Sequence, residues 1–369
     1  MSAALAGVTF GASANTAPPR LERAVQIRAQ LGSWAAAPLA WRIWSQLDAR
    51  ALGRDELGAG DLLCVEAGQP VPAVALRRGA AVVTAGETGV SLELGAQVYR
   101  LNGAPGPDWL PALAAFLDCG FAPQDALCLA WRWREHGDAA QRDAAWPRSM
   151  ADLPEVAGLP TQPTAFAPCP ARLGLYPVVP DAQWVERLLA LGVQTVQLRC
   201  KGGTPATLER EVQRAVEAGR AYDARVFIND HWRLALQAGA YGVHLGQEDW
   251  PDADLPALAR AGIRLGLSTH GVYEMRVAWH VRPSYIAMGA VFATATKQVA
   301  TAPQGLARLR RYVELLDGQV PSVAIGGIGL AQLPEVLACG VGSAAVVSAV
   351  TGAADTAAAV SALQQVFAH

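Results

Sequence analysis

From residue 174 onward the chain repeats one pattern eight times: a short aliphatic or β-branched run, followed in most repeats by a stretch whose apolar positions recur at helical spacing. The runs are GLYPVV (174–179), TVQLRCK (195–201), RVFIND (225–230), GVHLGQ (242–247), RLGLSTH (264–270), YIAMGAV (285–291), SVAIGGI (322–328) and AAVVSAV (344–350). Candidate helices between them include DAQWVERLLAL, PATLEREVQRAVEAGRAY and LAQLPEVLAC. Alternating strands and helices are joined by right-handed crossovers and give a parallel sheet. Eight units in so short a length predict an α/β fold built as a compact (β/α)8 TIM barrel. A doubly wound open sheet is the rival. It would have fewer strands, a switch point and usually a glycine fingerprint after its first strand, and GLYPVVPDAQW has none.

The barrel pattern occupies 173–369 and leaves room for a second folded unit. Residues 1–137 read as a smaller α/β domain, with a strand at DLLCVE, a helix around PAVALRRG, a strand at AAVVTAGETG and a long amphipathic segment from Asp108 to Gly137. Residues 138–172 are rich in Pro, Ala and polar residues without sustained periodicity, and read as a linker. A hydrophobic content of 52% is ample for two packed cores.

Charge and cysteine usage exclude several classes of function. The 30 Lys and Arg nearly balance 32 Asp and Glu, so no long-range field favours nucleic acid or an anionic membrane. Small-molecule substrates are the expected partners, and self-association into a homo-oligomer is left open. The six cysteines are scattered without a C-x-x-C pair or zinc-like histidine spacing, which fits a reducing, cytoplasmic setting. The N-terminal stretch lacks a basic n-region and reads as a frayed tail rather than a signal peptide. No run approaches the ~20 apolar residues of a membrane-spanning helix.

In a parallel barrel the working groups gather where strands end. Those positions here hold Gln197, Arg199 and Lys201; Asn229 and Asp230; Gln247 and Asp249; Ser268 and His270; Thr294, Thr296 and Lys297; Gly326 and Gly327; and Ser348. Any one of these could be ordinary strand-end polarity, but lysine, arginine, carboxylates and glycines are sorted onto one face. Asp230 and Asp249 end consecutive strands, which lie at roughly 4.8 Å. Two carboxylates so close need a cation. With no Cys or His pair nearby, oxygen ligation favours Mg2+, completed by a diphosphate and waters. Arg199, Lys201 and Lys297 supply opposite charge for that diphosphate. The structural alternative has Asp230 pairing with Arg199 or capping the next helix. The glycine pair and the eighth strand end fit a second phosphate, held by backbone amides, or else a tight turn.

These segments carry a resemblance. VQLRCK, FINDHWRLALQAGAYGVHLGQED, LGLSTH, YIAMGAVFATATK, APQGL, VAIGGI and GVGSAAVVSAV occur in the order and spacing of the thiamine phosphate synthase family, over residues from about 173 to 365. The resemblance implies a transferase that joins hydroxymethylpyrimidine diphosphate to thiazole phosphate and releases pyrophosphate. By motif, Gln197, Leu198, Arg199, Cys200, Lys201 and Asn229 would hold the pyrimidine diphosphate, touched also by Ser268 and Lys297, with Asp230 and Asp249 on Mg2+. Thr294, Ala295, Thr296, Gly327, Val347 and Ser348 would receive the thiazole phosphate. Arg199, Lys201, Ser268 and Lys297 would be the catalytic set. The implied mechanism is dissociative, and it needs electrostatic stabilisation and alignment more than a strong base. His270 is either a proton relay or a structural histidine. The loop GAVFATATK has Ala290 and Ala293 where the family often has prolines, which leaves its rigidity in question.

The first half lies outside that resemblance. VVTAGETG and the segment after it resemble, weakly, the C-terminal part of the ribokinase-like hydroxymethylpyrimidine phosphate kinases. There a G-x-G-D loop carries the catalytic Asp; GAPGPDW keeps Asp108 and places Pro107 where an amide is wanted, so the region reads as a noncatalytic remnant. Its tryptophans, Trp131 and Trp133 among them, are expected in a core or interface. Two other readings of the barrel are a thiazole tautomerase, which has no use for the diphosphate apparatus, and a noncatalytic sensor of thiamine precursors.

Overall fold

The computed structural model describes residues 5–11, 17–34, 37–45, 57–71, 78–136, 145–160, 164–294 and 302–368. The chain forms two compact units, Met1–Pro160 and Thr161–His369.

The first unit contains a six-stranded sheet in sequential order: β1 (Val8–Phe10), β2 (Trp41–Ser45), β3 (Asp61–Glu66), β4 (Ala81–Ala85), β5 (Gly89–Leu94) and β6 (Gln97–Asn102). The first three pairings are parallel and the last two antiparallel. The run AAVVTAGETG therefore ends as a strand at Ala85 and turns into β5. Helix α1 (Ala17–Gln30) buries Ala24 and Ile27, one helical turn apart, with Leu31 just beyond its end. The long amphipathic segment divides into α2 (Trp109–Asp118) and α3 (Pro123–Trp131). Gly120, at φ 76°, closes the first, and Pro123 opens the second at a position whose amide has no helical partner. The helix read around PAVALRRG falls mainly on residues outside those described.

Within the stretch 138–172 expected to form a linker, residues 145–156 carry part of the first core. Ala145, Trp146, Met150, Leu153 and Val156 are buried, and the Trp146 ring lies 5.3–5.9 Å from those of Trp34, Phe116 and Phe121. Proline-rich texture hid these anchors because they are spaced irregularly, on a loop and a single 3-10 turn at Met150–Asp152. Trp131 and Trp133 are likewise core residues, their indole N–H groups donating to the carbonyls of Gly103 and Ala145.

In the second unit the eight runs become β7 (Gly174–Val179), β8 (Thr195–Leu198), β9 (Arg225–Asn229), β10 (Gly242–Leu245), β11 (Arg264–Thr269), β12 (Tyr285–Met288), β13 (Ser322–Ile325) and β14 (Ser343–Val346). All neighbours are parallel, and β14 pairs with β7 to close the barrel. The eighth strand is shorter than its apolar run: it stops at Val346, and Ser348 begins the four-residue helix Ser348–Thr351. Arg199, Cys200 and Lys201 similarly lie beyond the end of β8.

The barrel interior holds Leu173, Tyr176, Val178, Phe227, Tyr285, Ala287, Val323 and Ala345. Three aromatic rings fit because two strands yield space. A Cβ on Gly242 would stand 2.4 Å from the Phe227 ring, and one on Gly266 would stand 2.1 Å from that of Tyr285. Outside, Asp181, Thr204, Asp254 and Asp355 accept from backbone amides at the starts of their helices. The residues 164–172 end of the expected linker is tied to this unit: Ser284 Oγ donates to the Ala167 carbonyl at 2.6 Å and Arg264 Nε to that of Pro168 at 3.0 Å.

Candidate functional site

The strand ends of the barrel bring Asp230 and Asp249 together. Asp230 follows β9 directly and adopts a left-handed backbone, φ 61°, with its amide donating to the His244 carbonyl at 3.0 Å. Aspartate tolerates that region better than most residues. Asp249 follows β10 through the turn Gly246–Asp249, where the Gly246 amide donates to its Oδ2 at 3.2 Å. The two carboxyl groups are in hydrogen-bonding contact. Partial burial, and next the Asp249 charge, raise the Asp230 carboxyl above the usual carboxylate range, while Arg199 opposes the rise. The helix after Asp230, Trp232–Ala238, has no side-chain cap, so capping does not account for the position of this acid.

The pair has the donor chemistry of a site for a hard divalent ion. Its donors are carboxylate oxygens, and the Asp249 charge disfavours ionisation of Asp230. Among the described residues no group of three or more His, Cys, Asp and Glu side chains is arranged to hold a metal. Two carboxylates alone suit Mg2+, which commonly keeps waters and takes substrate phosphate oxygens for its remaining positions.

One wall of the mouth is made by β8 and the loop after it. Gln197 is buried and donates through Nε2 to Tyr176 Oη at 3.3 Å. Leu198 is buried, Arg199 donates its amide to the Val179 carbonyl at 2.8 Å, and Lys201 is exposed. Burial, with Glu211 and Asp181 adding to it, pushes the Cys200 thiol up to about 11. Asn229 is buried at the end of β9.

On β11, Ser268 Oγ lies 2.8 Å from His244 Nε2, and the Ser268 carbonyl accepts from Gln247 Nε2 at 2.7 Å. His270 gives both its amide and Nδ1 to Glu274 Oε2, each at 2.8 Å. Gln304 Nε2 donates to the carbonyls of His270 and Gly289, tying the mouth to the start of helix Gly305–Leu316. Gln304 and His244 did not stand out in the sequence. His244 could have been found from strand alternation, since it lies two residues from Gly242 and so faces the same way.

The glycines after β13 have a packing reason. Cβ atoms on Gly326 and Gly327 would come within 2.5 Å of Ala290 and 2.6 Å of the Ala293 carbonyl. The Phe292 amide donates to the Gly326 carbonyl at 3.0 Å, so this turn clasps the loop that follows β12. Thr294 is the last described residue of that loop. Ala295, Thr296 and Lys297 lie outside the described residues. Val347 precedes the short helix begun by Ser348, whose side chain is exposed at the rim.

A closed parallel barrel with paired carboxylates, a neighbouring arginine and polar walls at one end defines a TIM-barrel enzyme with its site at the carboxyl ends of the strands. The family model described as thiamine monophosphate synthase matches residues 175–350. Thiamine-phosphate synthase of Cronobacter sakazakii is 59% identical over 165 residues, which are 45% of this chain and 78% of that protein. Its counterpart from Escherichia coli O1:K1 is 58% identical over 167 residues, 45% of this chain and 79% of that protein. A solved structure of thiamine phosphate pyrophosphorylase from Pyrococcus furiosus has 32% identity, covers 53% of this chain and 96% of its own, and has a TM-score of 0.47. The chain belongs to the thiamine monophosphate synthase family.

In the first unit, Asp108 is held by Arg23 Nε at 2.8 Å, and the Gly106 amide donates to the Trp131 carbonyl. The carboxylate and that amide of the loop GAPGPD are both engaged within the fold.

Proposed function

We infer that the barrel condenses hydroxymethylpyrimidine diphosphate with thiazole phosphate, giving thiamine phosphate and pyrophosphate. The observation that carries this reading is the contact of Asp230 with Asp249 beside Arg199, in a chain that is 58–59% identical to thiamine-phosphate synthases over 165–167 residues. A tautomerase has no use for that acid pair.

Asp230 and Asp249 would hold Mg2+, which when bound neutralises negative charge on the diphosphate oxygens. Arg199, Lys201 and Lys297 draw the departing pyrophosphate away from the pyrimidine methylene by charge-assisted hydrogen bonding. Gln197, Asn229 and Ser268 orient the pyrimidine half; Leu198 and Cys200 complete that wall. Cys200 serves as a neutral thiol, its proton held up to about pH 11. Thr294, Ala295, Thr296, Gly327, Val347 and Ser348 position the thiazole phosphate so that the ring nitrogen meets the electron-poor methylene carbon. Attack by that nitrogen requires no proton transfer, so alignment and electrostatics suffice. His270, tied to Glu274, serves as structural support for the rim. Six free thiols suit a reducing cytoplasmic compartment.

The test is product formation from the two purified substrates with and without Mg2+, repeated with Asp230→Ala and Lys297→Ala. Loss of about a hundredfold or more in each variant is expected. Unchanged turnover in both would refute the assigned roles.

A further inference from the structure

Five side chains cross the barrel in one continuous line beneath the mouth. Gln197 Nε2 meets Tyr176 Oη at 3.3 Å, Tyr176 Oη meets Tyr285 Oη at 2.9 Å, Tyr285 Oη meets His244 Nδ1 at 2.7 Å, and His244 Nε2 meets Ser268 Oγ at 2.8 Å. Gln197, Tyr176, Tyr285 and His244 are all at least 94% buried. The line starts at one residue of the pyrimidine wall and ends at another. Gly266, two residues before Ser268, leaves the space that the Tyr285 ring fills. An aromatic hydroxyl at the centre of a barrel must be satisfied, and here both are satisfied by each other and by polar groups that lead to the site.

The chemistry of the end group sets one end of the line. An amide nitrogen can only donate, so the Tyr176 oxygen accepts from Gln197; the direction that satisfies every later group has Tyr176 pass its own hydrogen to Tyr285. Tyr285 then gives its hydrogen to His244 Nδ1. A neutral imidazole accepting at Nδ1 carries its hydrogen on Nε2, and Nε2 donates to Ser268 Oγ. The Ser268 hydroxyl hydrogen remains to be given to a substrate acceptor, and Gln197 Oε1 remains to receive from a substrate donor. Burial holds both tyrosine hydroxyls well above their ordinary titration range, so both keep their protons.

We propose that Tyr176, Tyr285 and His244 are positioning residues, and that the hydrogen-bond line running from Gln197 to Ser268 fixes Ser268 as a donor and Gln197 Oε1 as an acceptor toward the pyrimidine diphosphate. This rests on the synthase reading for its substrate. Its directional part can be measured without any substrate.

The first experiment is 15N NMR of the full-length chain labelled at histidine, with His244 assigned by comparison with His244→Gln. The expected signature is a neutral ring protonated at Nε2, with an Nδ1 resonance that shifts in Tyr285→Phe. A ring protonated at Nδ1 would overturn the proposal. The second experiment is steady-state kinetics of Tyr285→Phe and Tyr176→Phe, in variants that keep the wild-type Tm to within a few degrees. For the pyrimidine diphosphate, kcat/KM should fall about tenfold, roughly what one buried hydrogen bond is worth, while KM for the thiazole phosphate stays unchanged. In a Ser268→Ala background Tyr285→Phe should cost nothing further. Equal losses toward both substrates, unchanged kinetics, or full additivity with Ser268→Ala would each overturn it. Should the wild-type chain form no thiamine phosphate, the synthase reading fails, and the histidine spectrum alone decides for or against the relay.

Discussion

Asp249 turns back on its own loop because residue 246 is glycine: the Gly246 amide lies 3.2 Å from Asp249 Oδ2, and a Cβ at that position would stand 2.9 Å from the same oxygen. The acid pair at the mouth thus depends on a missing side chain three residues away. In Gly246→Ala the carboxylate must swing out, and what moves is the end of a side chain rather than backbone. The expected outcome is a rise of about tenfold in the Mg2+ concentration needed for half-maximal activity, on the scale of one charge-assisted hydrogen bond, with Tm little changed. Titration of activity against Mg2+ measures it. An unaltered Mg2+ requirement would show that Asp249 does not need this turn.

The raised carboxyl of Asp230 gives a pH dependence of definite sign. A carboxyl whose folded value exceeds its unfolded one holds its proton more tightly in the folded chain. Its stabilising contribution is full below the unfolded value, near 4, and disappears as pH climbs through the folded value; the ionised form is a burden above it. Asp230→Asn should therefore melt higher than the wild type in the absence of metal, by a margin that widens between about pH 4 and pH 7. Added Mg2+ should raise the wild-type Tm at pH 7 and leave the variant unmoved. Thermal melts across that range, with and without Mg2+, test both halves. A variant that melts lower at pH 7 would contradict the electrostatic account.

Cys200 sits in the loop after β8 yet is a poor nucleophile, its thiol pushed up to about 11 by burial with Glu211 and Asp181 nearby. Iodoacetamide at pH 8 should leave it largely unmodified on a timescale that alkylates a free cysteine completely, and the rate should climb until about pH 11. Peptide mapping by mass spectrometry gives the rate. Fast labelling at pH 7.5 would mean a thiolate that the surroundings do not allow.

Trp146 is buried among Trp34, Phe116 and Phe121. Trp146→Ala should cost about 3–5 kcal/mol, read by urea unfolding. A loss under about 1 kcal/mol, the range of surface changes, would mean that this stretch is not part of the first core.

The barrel was legible in the sequence because its strands are buried on both faces and read as uninterrupted apolar runs between amphipathic helices. The acid pair was legible too, since Asp230 and Asp249 end consecutive runs and closure makes consecutive strands neighbours. The line from Gln197 to Ser268 was not. It joins five strands, and nothing local marks Tyr176 or Tyr285 as anything but core filling. Gly266 and Ser268, like Gly242 and His244, share a face by alternation, yet only the closed barrel shows which ring fills each gap. The end of the eighth strand was overread because Val347, Ala349 and Val350 continue the apolar run into a helix. Residues 145–156 were underread because Trp146 and Met150 pack from segments with no period.

The left-handed backbone at Asp230 narrows what evolution or an engineer can place there. Glycine, asparagine and aspartate accept such a conformation at low cost, and of the three only aspartate is an anion. A glutamate would keep the charge but meet the backbone penalty and reach one methylene too far. Geometry and charge thus leave that strand end an alphabet of one letter.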